Sequence, residues 1–256
     1  MKNSIDNKVQ NGYSLDLGKI LDNSFETYKK TFLVSGVAVI IIGIVGIFIY
    51  AGYFGLLYGF SNFTEAMTQI QANALDATTQ IINTIFGSIF AALFAPITAG
   101  FIYVNHLAKT NKEFGLASFF DFYKSNKLKD IVVSQLIITL VINSLAVIFV
   151  ITNHQFIGLL FQILLPLFTF FTIPLLIFGE QNFMDAIIKS AKLFIKQPLL
   201  IFVAFLIGAI GSVVGIIVLC IGLFFTLPYY FSVVYATYEN GIGINEISPI
   251  DEIGIE

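Results

Sequence analysis

The chain has no arginine, one cysteine and two histidines, and only 11% of its 256 residues are charged. Each shortage excludes something. Soluble domains carry roughly 25% charged residues, so less than half of the usual water-facing complement is present. Taken with 57% hydrophobic residues and a mean hydropathy of +0.88, this rules out a soluble enzyme, a disordered chain and a nucleic-acid binder. Cys220 alone builds no disulfide framework, and inside an apolar run its thiol stays protonated and inert. What the chain has in quantity is long apolar sequence, the composition of a molecule dissolved in a bilayer.

Four stretches contain no Asp, Glu, Lys or Arg: residues 31–64, 77–108, 131–179 and 197–238. A bilayer core about 30 Å thick needs about 20 helical residues at about 1.5 Å each. The first two stretches therefore hold one span apiece. The third would be about 73 Å long as a helix and must fold back once, with Thr152, Asn153, His154 and Gln155 marking the turn. The fourth also needs two crossings, with a turn between Gly215 and Gly222. The expected fold is an all-α polytopic membrane helix bundle with six transmembrane helices at about 32–58, 81–108, 131–151, 156–178, 199–217 and 220–238. Barrel strands would alternate apolar and polar residues, and these runs do not. The chain reads as one integral membrane domain: a polar N-terminus over 1–31, the bundle over 32–238 and an acidic tail over 239–256. The first 30 residues carry no apolar core ahead of a cleavage site, so span one is expected to act as an uncleaved signal anchor.

All 13 positive charges are lysines. They precede span one, or lie between spans two and three or between spans four and five, and none falls in the loops after spans one, three and five. The positive-inside rule then places both termini in the cytoplasm. His106 and His154 fall on opposite sides of the bilayer in this topology. They cannot share a metal, which also excludes an iron oxygenase held by several histidines.

Each outward span is preceded by an amphipathic segment, giving three expected cytoplasmic interfacial helices. The first sets Leu17, Ile20, Leu21, Phe25, Tyr28 and Phe32 against Asp16, Lys19, Asp22, Glu26 and Lys29. The second has Leu116, Phe119, Phe120 and Tyr123 on one face. The third begins at a cap, Asn182, with Phe183, Ile187, Ala191 and Phe194 opposite Asp185, Lys189, Lys192 and Lys196. In this reading the rings lie against lipid, and Lys29, Lys30, Lys124, Lys127, Lys129, Lys189, Lys192 and Lys196 reach anionic headgroups. Each inward span holds a proline: Pro96, Pro174 (with Pro166 before it) and Pro228. The recurring order of amphipathic segment, outward span and bent inward span suggests three hairpin repeats, although any hairpin membrane protein shares this look.

The external loop over 61–80 has Phe63, Met67, Ile70 and Ala74 at helical spacing, and reads as a connector or as a lid. The tail has five acids and no lysine, and is either flexible or docked on the lysine-rich segments. No charged residue lies inside a span. Gln135, Thr139 and Asn143 recur every four residues in span three, and Gln162 faces in from span four. These four are candidate intramembrane polar contacts. The first reading is glue between helices, at about 0.6–2 kcal/mol each, and the alternative is the lining of a polar pathway. Gly87, Ala91, Ala95 and Ala99, the pair Gly55 and Gly59, and the pair Gly211 and Gly215 predict close helix approach.

The run Leu17–Phe25, followed by Tyr28–Phe32, resembles the opening of a bacterial six-span inner-membrane family of unknown function. Pro96–Phe101, Phe119–Tyr123, Ala186–Lys196 and Pro228–Tyr235 also fit. That family includes the membrane domain of membrane-anchored glycerophosphodiester phosphodiesterases. The resemblance implies a six-helix membrane domain. It implies no phosphodiesterase activity, because no stretch of this chain could house that catalytic domain.

No catalytic constellation, phosphate-cradling loop or cofactor motif appears, so the sequence points to a non-enzymatic role in structure, assembly or partner docking. The alternative is a carrier or exporter of a lipid-like or neutral small solute. The expected partners are membrane lipids, with room for a second copy or another membrane protein.

Overall fold

The computed structural model describes residues 2–59, 76–217 and 221–244, with the isolated positions 64, 68 and 72. The expected loop helix carrying Phe63, Met67, Ile70 and Ala74 lies outside the described residues, as do Cys220 and most of the acidic tail. The described elements are all helical. In chain order they are α1 (Lys2–Asn11), α2 (Leu17–Tyr58), α3 (Ala77–Lys109), a 3₁₀ segment (Leu116–Tyr123), α4 (Leu128–Ile151), α5 (Gln155–Phe168), α6 (Thr172–Ile177), α7 (Phe183–Lys196), α8 (Pro198–Val213), a short 3₁₀ turn (Val214–Ile217), α9 (Ile221–Thr226) and α10 (Tyr229–Gly241). Among the described residues, five segments are long and apolar enough to cross a membrane: Leu17–Leu57, Ala77–Lys109, Leu128–Ile151, Gln155–Ile177 and Pro198–Ile217. Their outward faces stay apolar, with Ile47, Phe48 and Leu56 largely exposed.

The structure corrects four expectations. First, the first amphipathic segment is not a separate interfacial helix. It continues into span one as the single helix α2, begun by the Asp16 carboxylate, which accepts from the Lys19 N–H at 3.2 Å. No glycine or proline pair breaks the run, and its aromatic face stays outward, as expected of rings that lie against lipid. Phe25 and Leu21 are exposed, while Ile20, Ser24, Thr27, Thr31, Ser35 and Ala38 are buried at three- and four-residue spacing. These small hydroxyls turn back on their own helix, Thr27 to the Asn23 carbonyl at 3.0 Å and Thr31 to the Thr27 carbonyl at 3.1 Å. They satisfy themselves and leave a smooth seam that a neighbouring helix can approach closely.

Second, the Leu116–Tyr123 segment is a 3₁₀ helix. Its three-residue turn eclipses positions i and i+3, so Phe119 and Phe122 share the buried face and Phe120 and Tyr123 the exposed one, while Leu116, at the start of the segment, is exposed as well. Third, span four is not one helix. It breaks at Thr169–Phe171 between α5 and α6, where Pro174 has no N–H for the Phe170 carbonyl and its ring crowds that carbonyl. Fourth, the sixth span does not form one long helix; α9 and α10 are separated by a turn at Leu227–Pro228. Carbonyls at that break find side chains: Tyr28 donates to Phe225 O at 3.1 Å and Ser212 donates to Leu227 O at 3.3 Å. Pro96, by contrast, sits inside a continuous α3.

Other expectations match the described geometry. The Thr152–His154 turn joins α4 to α5, with Asn153 in the left-handed region at φ 61°. Asn182 caps α7, accepting from the Asp185 N–H at 2.9 Å. Gly211 and Gly215 are close-approach points, where an added methyl would meet the Tyr229 ring and the Gly222 backbone.

The core centres on α10, which packs against α2, α3, α6 and α8. Its residues Ser232–Tyr238 are all buried, with Tyr235 and Tyr238 fully enclosed. At the lysine-bearing end α1 lies across the bundle against α7: Ile5 enters the core, Asp6 pairs with Lys189 at 2.6 Å and Lys196 donates to Gln10 O at 2.8 Å. Lys8 closes the C-terminus of α10, donating to the carbonyls of Gly241 and Ile242, so the first residues of the tail are docked.

At the same end α2 and α3 are joined by Glu26, whose carboxylate meets Lys109 at 3.1 Å and Lys30 at 3.3 Å. The hydrogen bond from Lys109, then that from Lys30, holds the carboxyl below its ordinary 4.5. A lowered native pKa means the unfolded chain binds more protons in acid. This contribution is therefore complete above the ordinary value and is lost as pH falls through the lowered one. The pair is half-exposed, so at neutral pH Glu26→Gln should change stability by less than about 1 kcal/mol. Melting curves of both proteins, taken from neutral pH to about pH 3, should converge at the acid end. Parallel curves throughout would mean the clamp contributes nothing.

Candidate functional site

The stripe Gln135, Thr139 and Asn143 occupies one face of α4 over about 12 Å. The turn at Asn153 folds α5 back antiparallel, placing Gln162 near the level of Asn143 and Thr169 near the level of Gln135. These five residues line one cavity of about 360 Å³. Thr98 and Ile102 of α3 close it on one side, and Tyr230, Phe231 and Val234 of α10 on another. Pro166, Pro174 and Thr172, at the break between α5 and α6, complete the wall. The prolines explain the space: each interrupts the backbone ladder, and the chain leaves the straight path that would have filled the gap.

Thr139 donates to Gln135 O at 2.8 Å and Thr169 to Pro166 O at 3.1 Å, both within the local turn. Among the described residues the carboxamides of Gln135, Asn143 and Gln162 make no hydrogen bond to a neighbouring helix, although Gln135 and Asn143 are half-buried. Thr172 is 1% exposed, and its hydroxyl has no hydrogen-bond partner. Gln162 is exposed, so the cavity reaches the lipid-facing surface on that side. No lining residue is charged. The lining offers carboxamides and hydroxyls but no carboxylate, imidazole, amine or thiol. It can bind through hydrogen bonds and apolar contact, and holds no group poised for proton transfer near neutral pH. A second, apolar cavity of about 500 Å³ between α2, α8 and α10 shares Tyr230 and Phe231 with the first, so these two rings form the partition.

Sequence reasoning found Gln135, Thr139, Asn143 and Gln162 but missed Thr98, Thr169, Thr172 and Tyr230. Those four are scattered over α3, the break between α5 and α6, and α10, and make no periodic pattern. The pair Pro166 and Pro174 was the available signal, since two prolines in one apolar run mark a place where helix geometry fails.

The structure divides the candidate headgroup lysines. Lys30 is engaged by Glu26, Ala108 O and Asn111, Lys189 by Asp6 and Gln181, and Lys196 by Gln10 O. Lys29 lies over the Phe25 ring at 5.0 Å. Lys124, Lys127, Lys129 and Lys192 form no ion pair among the described residues, and all but the half-buried Lys127 are exposed. His106 Nδ1 lies 3.4 Å from the Tyr235 hydroxyl, which donates to Glu239 at 3.0 Å. Among the described residues no three His, Cys, Asp or Glu side chains converge as a metal site. Compared with known proteins, the chain matches no family model, no curated protein and no solved structure.

Proposed function

We propose that this is a six-crossing bacterial inner-membrane protein, with both termini cytoplasmic, that carries a lipid-like or neutral small solute through its uncharged cavity. The observation that carries the reading is the meeting of the α4 stripe with Gln162, Thr98, Thr172 and Tyr230 around one space large enough for a small ligand. The sixth crossing is supported by the course of α9 and α10 along α8 and the 3₁₀ turn after it, where Gly215 faces Gly222, Gly211 faces Tyr229 and Gly208 faces Tyr230 and Val233. The three-hairpin arrangement and the six-span topology implied by the family resemblance belong to the same proposal. Lys29, Lys124, Lys127, Lys129 and Lys192 are the headgroup contacts in it.

Purified protein reconstituted into vesicles should take up a subset of a solute panel. Replacing Gln135, Asn143 and Gln162 together by leucine should return uptake to the level of protein-free vesicles while the protein still inserts. Wild-type flux equal to that of empty vesicles across the panel would overturn the carrier reading. A docking role, the first expectation from sequence, is favoured by Gly52 and Gly87 on the long helices, where an added methyl would meet nothing within 4 Å. A partner helix would seat there, and crosslinking from these two positions in native membranes tests it.

A further inference from the structure

The geometry points to a ligand class for the cavity: a compact, uncharged solute bearing several hydroxyl or amide groups, about the size of a hexose, with the Thr172 hydroxyl as one of its anchors. This rests on the reading of the cavity as the solute site, and narrows that reading by excluding both ions and acyl chains.

Three observations converge on it. The first is charge. An ion entering the cavity would give up its hydration and meet no counter-charge, because every lining residue is neutral. The second is the balance of donors and acceptors. Each of Gln135, Asn143 and Gln162 presents two N–H donors and a carbonyl acceptor. A hydrocarbon chain would leave all of them bare, whereas a solute with hydroxyls or amides offers donors and acceptors in return. The third is Thr172. Buried hydroxyls are almost always hydrogen-bonded, and Ser190 nearby is, accepting the Phe171 N–H at 3.0 Å. Thr172, equally buried and bordering the cavity, has no partner within the protein. A group of the solute supplies that partner.

Size sets the scale. About 360 Å³ is the room taken by about a dozen water molecules at roughly 30 Å³ each; bonded heavy atoms pack closer than separate water molecules, so a hexose fits with space left for bound water. Pro166, Pro174, Ile138 and Ile142 give the cavity apolar patches suited to the C–H faces of such a ring. An acyl chain is better matched by the adjoining cavity, whose lining is almost wholly apolar and which shares Tyr230 and Phe231 with this one.

The test uses the full-length protein in nanodiscs and vesicles with five probes: glucose and N-acetylglucosamine as neutral solutes, glucosamine as the cation, glucuronate as the anion and monoolein as the lipid-like control. The neutral sugars should raise the melting temperature and be taken up about tenfold or more faster than either charged sugar. Thr172→Val keeps the volume and removes an unpaired hydroxyl. Its ligand-free melting temperature should therefore equal or exceed that of wild type, while stabilisation by the neutral sugars drops several-fold, and Thr172→Ser should restore it. Charged sugars performing as well as neutral ones, a response to monoolein alone, or a Thr172→Val protein that responds like wild type would each overturn the assigned class. The first two of these leave the carrier reading standing, because the cavity is still occupied. If none of the five probes binds or crosses, the class and the carrier reading fall together.

Discussion

Gly100→Ala lowers the stability of the detergent-solubilised protein by about 3 kcal/mol, although the same change in an exposed helix interior normally stabilises by about 1 kcal/mol. The reversed sign comes from one contact. The 3₁₀ segment rests its backbone on α3 at Gly100, and an added Cβ would lie 2.7 Å from both the C and Cα atoms of Phe119, closer still to its carbonyl oxygen. Backbone cannot rotate away as a side chain would. Phe119 is fully buried, with its ring 4.6 Å from Phe101, and packs in a cluster with Ala38, Ile97 and Val104. Moving the segment therefore opens the α2–α3 contact as well. Gly87 on the same helix is the control. Nothing lies within 4 Å of its added methyl, so Gly87→Ala should leave thermal stability unchanged or slightly raised. Equal effects at the two positions would show that the 3₁₀ segment does not rest on α3.

Tyr235→Ala removes about 3–5 kcal/mol, because Tyr235 is fully enclosed on the most buried helix of the bundle. Its ring meets Phe178 at 6.1 Å, and its hydroxyl joins Glu239 to the His106 neighbourhood. Truncation leaves a void among α3, α6 and α10 and strips partners from two polar groups at once. Phenylalanine at the same position keeps the ring and loses only the hydroxyl, at about 1–2 kcal/mol. Tyr238, one turn onward, is equally enclosed but has no partner for its hydroxyl. Tyr238→Phe should therefore be neutral or stabilising, since a buried polar atom without a hydrogen bond is a burden the variant sheds. Thermal denaturation of the three variants separates the contributions. A loss at Tyr238→Phe matching that at Tyr235→Phe would contradict the difference in pairing between the two hydroxyls.

Much of the architecture is legible in the sequence because the controlling quantities are one-dimensional. Run length without charge located the apolar helices, the polar knot Thr152–Gln155 located a turn, and Asn182 located a helix start. These signals act within a few residues. Expectation and structure part where two local rules compete. At Leu17–Phe32 the charge pattern marks a separate interfacial helix, yet the segment runs straight on into span one and packs through its Ser and Thr stripe, because small self-satisfied hydroxyls let α10 come close. Proline placement likewise warns of bends but does not say which ones break the helix. Pro96 stays in a continuous α3, whereas Pro174 and Pro228 stand at interruptions whose neighbouring carbonyls or loops find support elsewhere.

The candidate site shows the same division. The four-residue recurrence of Gln135, Thr139 and Asn143 was visible as a stripe, since helical period alone puts those side chains on one face. Whether a stripe pairs with another helix or borders a space depends on what stands opposite it. Residues more than thirty positions away, Thr98 and Tyr230 among them, decide that, and no pattern in their own segments announces it.

The sequence by itself determined the apolar helical character of this protein, the confinement of its lysines to three segments, and the absence of charge from its apolar runs. Solvation and helical period act locally and need no partner. Only the tertiary structure decided that α10 occupies the centre, that Lys8 and Lys189 are committed to protein contacts, and that four polar side chains meet four unforeseen ones around a cavity. Those outcomes depend on which helices pack side by side, a choice made by shape and close approach between segments far apart in the chain.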